Sequence, residues 1–189
     1  WKNGLKGITV YRDGSRSGVL VSTEKKETKP DTIVEYVAPK RPKVLEAEIV
    51  RFMNDNEHWI GVVGLLNGKP YEIFTGKTED VFVIPLSVKS GWIIQNKTDD
   101  GNKRYDFQYT DKDGYKVTIE GLSRSFNKEY WNYAKLISGI IRQGMPLPKV
   151  VDLIENLNLY SDNINTWKTG VTRSLKKFIP DGTVAKDKK

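Results

Sequence analysis

Apolar and polar residues alternate with a period of two in the middle of the chain, as they do in half-buried β-strands. The alternation predicts six strands, at Leu45–Met53, His58–Leu66, Pro70–Thr75, Gly91–Gln95, Tyr105–Tyr109 and Tyr115–Ile119. Asn67-Gly68 stands between the second strand and the third, and this dipeptide is well able to hold the positive φ angles of a two-residue hairpin turn. Because short turns of this kind join neighbouring antiparallel strands, the sequence predicts an antiparallel sheet.

The period changes to 3.6 residues after Asn127, which indicates amphipathic helices. Three helices are predicted, at Asn127–Gln143, from Pro148 or Lys149 to Leu157, and at Ile164–Phe178. Asn127 suits the N-cap of the first helix, Gly144 suits its C′ position, and Ser161-Asp162-Asn163 suits the cap of the third. Strands followed by helices, without βαβ alternation, indicate an α+β fold.

One core is expected between the sheet and the helices, with one face of about six strands lying under three C-terminal helices. Ile137 and Ile141 fall on the inner stripe of the first helix. We expect them to face Ile60, Val62 and Phe74 across this interface.

The chain that precedes this domain has a different composition. Gly7–Tyr11 predicts a single strand, and its partners must come from outside residues 1–21, for instance from the downstream domain as an edge strand. Residues 22–43 are charged and rich in proline, so they predict a solvated linker. The domain then covers residues 44–182, and residues 183–189 form a tail.

Lys40, Arg41 and Lys43, near the end of the linker, have a second interpretation as a phosphate-binding patch. The flanking prolines hold such residues extended rather than converged, so the linker interpretation is preferred.

Composition narrows the class of protein. Hydrophobic residues make up 38% of the 189 residues, which favours a globular fold over disorder. The formal net charge of +7 favours weak attraction to polyanions, but no compact run of Lys and Arg alternates with aromatic residues, which argues against nucleic acid as a partner. Tyr105, Phe107 and Tyr109 share one strand face, and a covered sheet face is preferred for them over a base-stacking platform. No apolar run of 18 residues exists, so no membrane span is predicted. Trp1 opens the chain, and we expect a fragment of a longer protein.

The search for chemistry finds no catalytic constellation. The absence of cysteine excludes disulfides, thiolate metal sites and thiol catalysis within these residues. The lone His58 is interpreted as an ordinary surface or cap residue, and no metal site is predicted. Asp99, Asp100, Asp111 and Asp113 are interpreted as polar turn residues, because no calcium-binding loop with a terminal Glu follows them. Taken alone, the chain resembles a binding or scaffolding domain.

Four stretches of the sequence carry a family resemblance. They are KGITVYRDGSRSGVL (Lys6–Leu20), RPKVLEAEIVRF (Arg41–Phe52), GLLNGKPYEIFTG (Gly64–Gly76) and NKEYWNYAKLISGIIRQGMPL (Asn127–Leu147). In this order and spacing they resemble the C-terminal part of adenosylcobalamin-dependent (class II) ribonucleotide reductases. The resemblance covers nearly the whole chain.

The resemblance implies that residues 1–21 contain a last strand of the reductase barrel and that residues 44–182 form the accessory domain after it. Enzymes of this family replace the 2′-OH of a ribonucleotide by hydrogen. The resemblance favours diphosphates over triphosphates as the substrates of the parent enzyme. The family uses adenosylcobalamin, a cysteine thiyl radical and a thioredoxin-like thiol reductant. The parent enzyme would be cytoplasmic, and a homodimer is one assembly that the resemblance allows. In many relatives a cysteine-rich tail follows the IPDG-type segment, here Ile179–Gly182.

The resemblance also bears on three residues, although it implies no catalytic residue in this fragment. Tyr11 stands where reductases with a separate radical-generating subunit have two adjacent tyrosines, but here Arg12 follows it. Tyr11 therefore either borders the radical site or packs within the barrel. Arg12 and Arg16 either contact nucleotide phosphates or form ion pairs within their turn.

Two other functions stay open at this point. One is a freestanding nucleic-acid-binding module that uses the basic surface and the face of Tyr105, Phe107 and Tyr109. The other is a protein-docking domain without a nucleotide role. Either would leave the chain without catalytic activity.

Overall fold

The computed structural model describes residues 36–78, 84–159 and 166–181. The predicted strand Gly7–Tyr11, residues 22–35 of the predicted linker, the cap residues Ser161-Asp162-Asn163 and the tail 183–189 lie outside the described residues. The described residues, from Tyr36 onwards, all belong to one compact unit.

These residues form one six-stranded sheet in which all neighbouring strands are antiparallel. Its strands are β1 (Val44–Asn54), β2 (Glu57–Leu66), β3 (Lys69–Lys77), β4 (Ser90–Lys97), β5 (Lys103–Thr110) and β6 (Lys116–Ile119). Their order across the sheet is β3-β2-β1-β4-β5-β6, so that β3 and β6 are the edges.

Four helices follow the strands within the described residues: α1 (Leu122–Ser125), α2 (Lys128–Arg142), α3 (Leu147–Glu155) and α4 (Trp167–Lys176). The last three correspond to the predicted helices, and α1 is a single additional turn. The predicted α+β fold, with an antiparallel sheet and helices after the strands, is confirmed. None of the described helices is long and apolar enough to cross a bilayer.

The two hairpins that join β1, β2 and β3 have two-residue turns with positive φ angles. Asp55 and Asn56 have φ values of 49° and 64°, and Asn67 and Gly68 have values of 52° and 74°. In both turns the flanking residues pair directly, for example Leu66 with Lys69. The hairpin predicted at Asn67-Gly68 is therefore confirmed. Its turn sets the register of the two residue pairs next to it, and a β-bulge between Gly64 and Leu65 shifts the pairing of the rest of β2 and β3 by one residue.

Strands β1, β2 and β3 carry buried apolar residues on both faces, so the prediction of one core under one face of the sheet is wrong. One buried cluster contains Ile60, Val62 and Phe74, and the other contains Trp59, Val63 and Ile73. Ile137 belongs to the second cluster, so it faces the opposite side of β2 and β3 from the one predicted. The second cluster lies where α2 packs on β3 and α4 packs on β1 and β2.

The face that bears Phe74 is concave. Three strands separate β3 from β5, which corresponds to about 19 Å across a flat sheet. The ring centroids of Phe74 on β3 and Tyr105 on β5 are nevertheless 5.2 Å apart. The sheet is therefore strongly curled, and this curl encloses the first cluster. Phe107 and Tyr109 are buried in that cluster with Leu122 of α1, so the covered sheet face preferred for this aromatic stripe is confirmed.

Helix α2 follows the prediction closely. The side-chain oxygen of Asn127 accepts a hydrogen bond from the Glu129 N–H, and Gly144 adopts the left-handed conformation expected at C′, with φ of 79°. The predicted N-cap and C′ residues are therefore both confirmed.

Helix α4 begins three residues later than predicted. Thr166 is its N-cap and accepts a hydrogen bond from the Thr169 N–H. The Trp167 N–H donates to the side-chain oxygen of Asn54, and the indole N–H of Trp167 donates to Thr75. The helix start is thus fixed by β1 and β3, which are distant in sequence, and the local pattern around Ile164 does not contain this information.

Ser138 of α2 binds the backbone at the β3 edge. Its hydroxyl accepts a hydrogen bond from the Ile73 N–H at 2.9 Å and lies 3.2 Å from the Ile73 carbonyl oxygen. The same hydroxyl donates to the Ala134 carbonyl at 2.7 Å. Helix α2 therefore runs along this edge, with Trp131 directed to the concave cluster and Ile137 to the other cluster.

Asp106 of β5 holds the start of α1. Its carboxylate is almost fully buried and accepts hydrogen bonds from the Gly121 N–H at 2.8 Å and from Asn96 at 2.6 Å. Arg104 completes the set with an ion pair at 2.9 Å. Burial raises the pKa of Asp106, but the hydrogen bonds from Gly121, Arg104 and Asn96 outweigh it and hold the pKa below its ordinary value.

Ile137→Ala tests the packing of α2. The side chain is 3% exposed, so its truncation leaves a cavity and should lower the free energy of unfolding by about 2–5 kcal/mol. Leu136→Ala is the matched control, because Leu136 is 66% exposed and its truncation should change stability by less than about 0.5 kcal/mol. Denaturant melts of both variants measure the difference, and equal effects would contradict the packing described.

Asp106→Asn tests the buried carboxylate through its pH dependence. Because the folded pKa is lowered, the charged form stabilises the fold above the unfolded pKa of about 4, and this contribution is lost as the pH falls further. The variant should be less stable than the parent by roughly 1–3 kcal/mol near pH 7, with the difference shrinking below about pH 4. Denaturant melts across this range measure it. Asp113→Asn, in an exposed turn, is the control, and a pH-independent difference for Asp106→Asn would overturn the assignment.

Candidate functional site

Four elements converge on a cleft of about 410 Å³ beside the β3 edge. Helix α2 contributes Trp131 and the positions four, seven and eleven residues after it, which share one helix face, and β5 contributes two alternate positions, which share one strand face. The lining residues are Glu72, Ile73 and Phe74 of β3, Lys103 and Tyr105 of β5, Ser123 of α1, and Trp131, Lys135, Ser138 and Arg142 of α2.

The floor of the cleft is aromatic. The ring centroids of Phe74 and Trp131 are 5.2 Å apart, and those of Tyr105 and Trp131 are 6.4 Å apart. Phe126, which does not line the cleft, packs against Trp131 with ring centroids 6.2 Å apart. These tilted contacts hold the rings against one another, so the floor is fixed by packing rather than by a flexible loop.

A buried ion pair supports the floor from the side of the sheet. Arg41 Nη2 lies 2.5 Å from Glu72 Oε1, and Arg41 Nε donates to Glu72 Oε2 at 2.9 Å. The side chains are only 8% and 3% exposed. The guanidinium also donates to the Pro42 carbonyl and lies over the Tyr105 ring, 5.3 Å from its centroid. Arg41 thus joins β3 to β5 and to the chain that enters β1.

Arg41 is therefore not the solvated linker residue that the sequence indicated. Within the predicted linker the structure describes residues 36–43, and Tyr71 also donates a hydrogen bond to this segment, at the Pro39 carbonyl. Burial raises the pKa of Tyr71, which keeps its hydroxyl protonated as the donor. The alternative of a phosphate-binding patch formed by Lys40, Arg41 and Lys43 fails for Arg41, because Glu72 occupies its guanidinium.

Three of the described cations line the cleft above this floor. Lys103 and Lys135 are exposed, and within the described part of the chain no carboxylate pairs with either. Arg142 is more constrained, because its Nε donates to the Ser138 carbonyl and its guanidinium lies 5.9 Å from the centroid of the Tyr71 ring. Glu72 is the one carboxylate among the described lining residues, and its charge is balanced by Arg41. The described lining of the cleft is therefore electropositive and aromatic.

The residues singled out by the sequence lie elsewhere. Tyr11, Arg12 and Arg16 are outside the described residues, and their roles stay predictions. His58 is exposed, as interpreted, beside a smaller cleft of about 250 Å³ that includes Arg51 and Arg173.

The interpretation of Asp111 as a turn residue is confirmed, since its carboxylate accepts hydrogen bonds from the Asp113 and Tyr115 N–H groups. Among the described residues no group of three or more His, Asp or Glu side chains is placed to hold a metal ion.

Sequence reasoning missed the cleft because its members come from separate segments. Glu72 and Arg41 are 31 positions apart, and no motif joins them. One signal was available: Trp131, Lys135, Ser138 and Arg142 form a helical stripe beside the apolar one, with two cations and an aromatic ring.

Comparison with protein families gives the class of this domain. The family model for the NrdJ homologue C-terminal domain matches residues 45–180, which is more than half of the chain. The chain belongs to this family, and it is thereby related to the NrdJ ribonucleotide reductases. No curated protein and no solved structure shows significant similarity to the chain.

Arg41→Met tests the ion pair beneath the cleft. The change leaves the Glu72 carboxylate buried without its partner and should lower the free energy of unfolding by about 3–5 kcal/mol. The double variant Arg41→Met/Glu72→Leu leaves no buried charge unpaired, so it should recover most of the lost free energy of unfolding. Lys176→Met is the control, because the pair of Lys176 with Glu155 is about half exposed and should contribute less than about 1 kcal/mol. Chemical denaturation measures all three, and equal losses for Arg41→Met and Lys176→Met would contradict the supporting role.

Proposed function

We propose that this chain is the C-terminal part of a ribonucleotide reductase that makes deoxyribonucleotides, with ribonucleoside diphosphates as substrates, by cobalamin-initiated thiyl-radical chemistry. The observation that carries the proposal is the family match over residues 45–180. The resemblance of Lys6–Leu20 to a last strand of the reductase barrel supports it from the other end of the chain.

In this proposal the domain from Val44 is structural or accessory. Thiyl-radical reduction needs one cysteine for the radical and two as reductant, and the 189 residues contain none. The thiols that the reaction needs must therefore come from outside these residues. Adenosylcobalamin, the ribonucleotide and the thioredoxin-like reductant belong to the parent enzyme, and no step of the reaction is assigned to residues of this chain.

The freestanding nucleic-acid-binding alternative loses its main support. It requires Tyr105, Phe107 and Tyr109 as an open stacking platform, but Phe107 is fully buried and Tyr109 is 6% exposed. Docking to another part of the same reductase remains compatible with an accessory role.

Activity measurements test the proposal. The isolated chain should reduce no ribonucleoside diphosphate in the presence of adenosylcobalamin and a dithiol. The parent protein, obtained by extending the coding sequence upstream of Trp1, should reduce it only when adenosylcobalamin is present.

The control for this experiment is the parent protein with its radical cysteine changed to serine, which should be inactive. Turnover by the isolated chain would overturn the accessory role. An upstream sequence that encodes no cysteine-containing barrel would overturn the reductase assignment.

A further inference from the structure

The accessory role proposed for this domain does not explain the positive charge of the cleft beside the β3 edge. Its lining concentrates positive charge over an aromatic floor, and that charge is not satisfied within the fold. The lysines of α4 show the contrast, since Lys176 pairs with Glu155 and Lys168 donates to two backbone carbonyls. Lys103 and Lys135 at the cleft have no such partner among the described residues.

The charge of the cleft is suited to an anion. Arg142 is held in place by the Ser138 carbonyl and the Tyr71 ring, so its guanidinium presents its remaining N–H groups without losing much side-chain entropy. Lys103 of β5 and Lys135 of α2 both line the cleft. Since Arg41 neutralises Glu72, three positive charges face a site with no uncompensated negative charge among its described lining residues.

The aromatic floor sets a second requirement for the ligand, which must place a ring against it. Tyr105 and Trp131 are tilted by 57° with centroids 6.4 Å apart, so a planar ring cannot insert between them. Both residues are only partly buried and line the cleft. Since the Arg41 guanidinium covers one face of Tyr105, a ligand ring has Trp131 and the remaining surface of Tyr105 to lie against. The cleft volume of about 410 Å³ is within the range that accommodates small ligands.

We propose that this cleft binds a small aromatic anion of the nucleoside phosphate class, with the ring against Trp131 and Tyr105 and the phosphates among Lys103, Lys135 and Arg142. A simple phosphate would leave the aromatic floor without a contact. A neutral ring would leave the three cations without a counter-charge. The nucleoside phosphate combines both features in one compact molecule.

This site is independent of the proposed reductase chemistry, which takes place outside this chain. Binding here adds a ligand to the domain itself. Failure to bind leaves the family relation untouched, because that relation rests on the sequence match and not on the cleft.

Isothermal titration calorimetry of the 189-residue chain tests the proposal with ADP, adenosine and pyrophosphate as probes. ADP should bind at least about tenfold more tightly than either of the others, since only ADP engages both the floor and the cations. ADP binding should also weaken as the salt concentration rises. No measurable ADP binding, or pyrophosphate binding as tight as that of ADP, would overturn the proposal.

Charge reversal locates the ligand. Lys103→Glu and Lys135→Glu, singly and together, should weaken ADP binding, with at least about a tenfold loss for the double variant. Both residues are exposed, so the fold should be kept, and thermal melts verify this. If a reversal does unfold the chain, Lys135→Ala gives the same comparison with a milder change.

Lys112→Glu is the matched control, because Lys112 is an exposed residue of the β5–β6 turn that does not line the cleft. It changes the net charge by the same amount as either single reversal. ADP affinity should stay within about twofold of the parent value. An equal loss for Lys112→Glu and Lys135→Glu would mean that ADP responds only to net charge, and the proposed site would be wrong.

Discussion

The curl of the sheet depends on the contact between its two halves across the concave face. Phe74 and Tyr105 meet there although three strands separate them in the sheet, and Arg41 spans the same gap by pairing with Glu72 and lying over the Tyr105 ring. A buried ion pair adds little net stability when its desolvation is counted, but it is specific, because an unpaired Glu72 would be costly in any other arrangement. Two apolar halves could pack in many ways, and this pair favours one of them. The cleft exists because the curl brings β5 within reach of α2.

Local information was sufficient for the elements and insufficient for their assembly. Alternation located all six described strands, and Asn67-Gly68 specified its turn, because strand period and turn geometry are properties of a few consecutive residues. The choice of face was different. Both Val62 and Val63 are fully buried, although successive residues of a strand point to opposite faces. Because β2 is apolar on either face, the alternation pattern does not show which face α2 covers. The start of α4 was missed for a related reason, since Asn54, which binds the Trp167 N–H, lies 113 residues earlier in the chain.

The relation to ribonucleotide reductases and the cleft come from different kinds of information. The relation rests on matched sequence over residues 45–180, and no physical property of the described side chains would have indicated it. The cleft, in contrast, follows from geometry that only the fold provides. In the sequence Lys103 and Lys135 are two lysines among many, and they gain significance only because β5 and α2 bring them to the same cleft.

The hydrogen bonds of Ser138 have a consequence for how this protein behaves in concentrated solution. An edge strand with free backbone groups is a template on which another chain can add a strand, and repeated addition leads to fibres. At Ile73 that template is interrupted, because the Ser138 hydroxyl occupies the outward N–H and α2 lies along the strand. Ser138 thus removes one of the backbone donors that an added strand would need at this edge. The same helix that lines the cleft therefore hinders the addition of a further strand to β3.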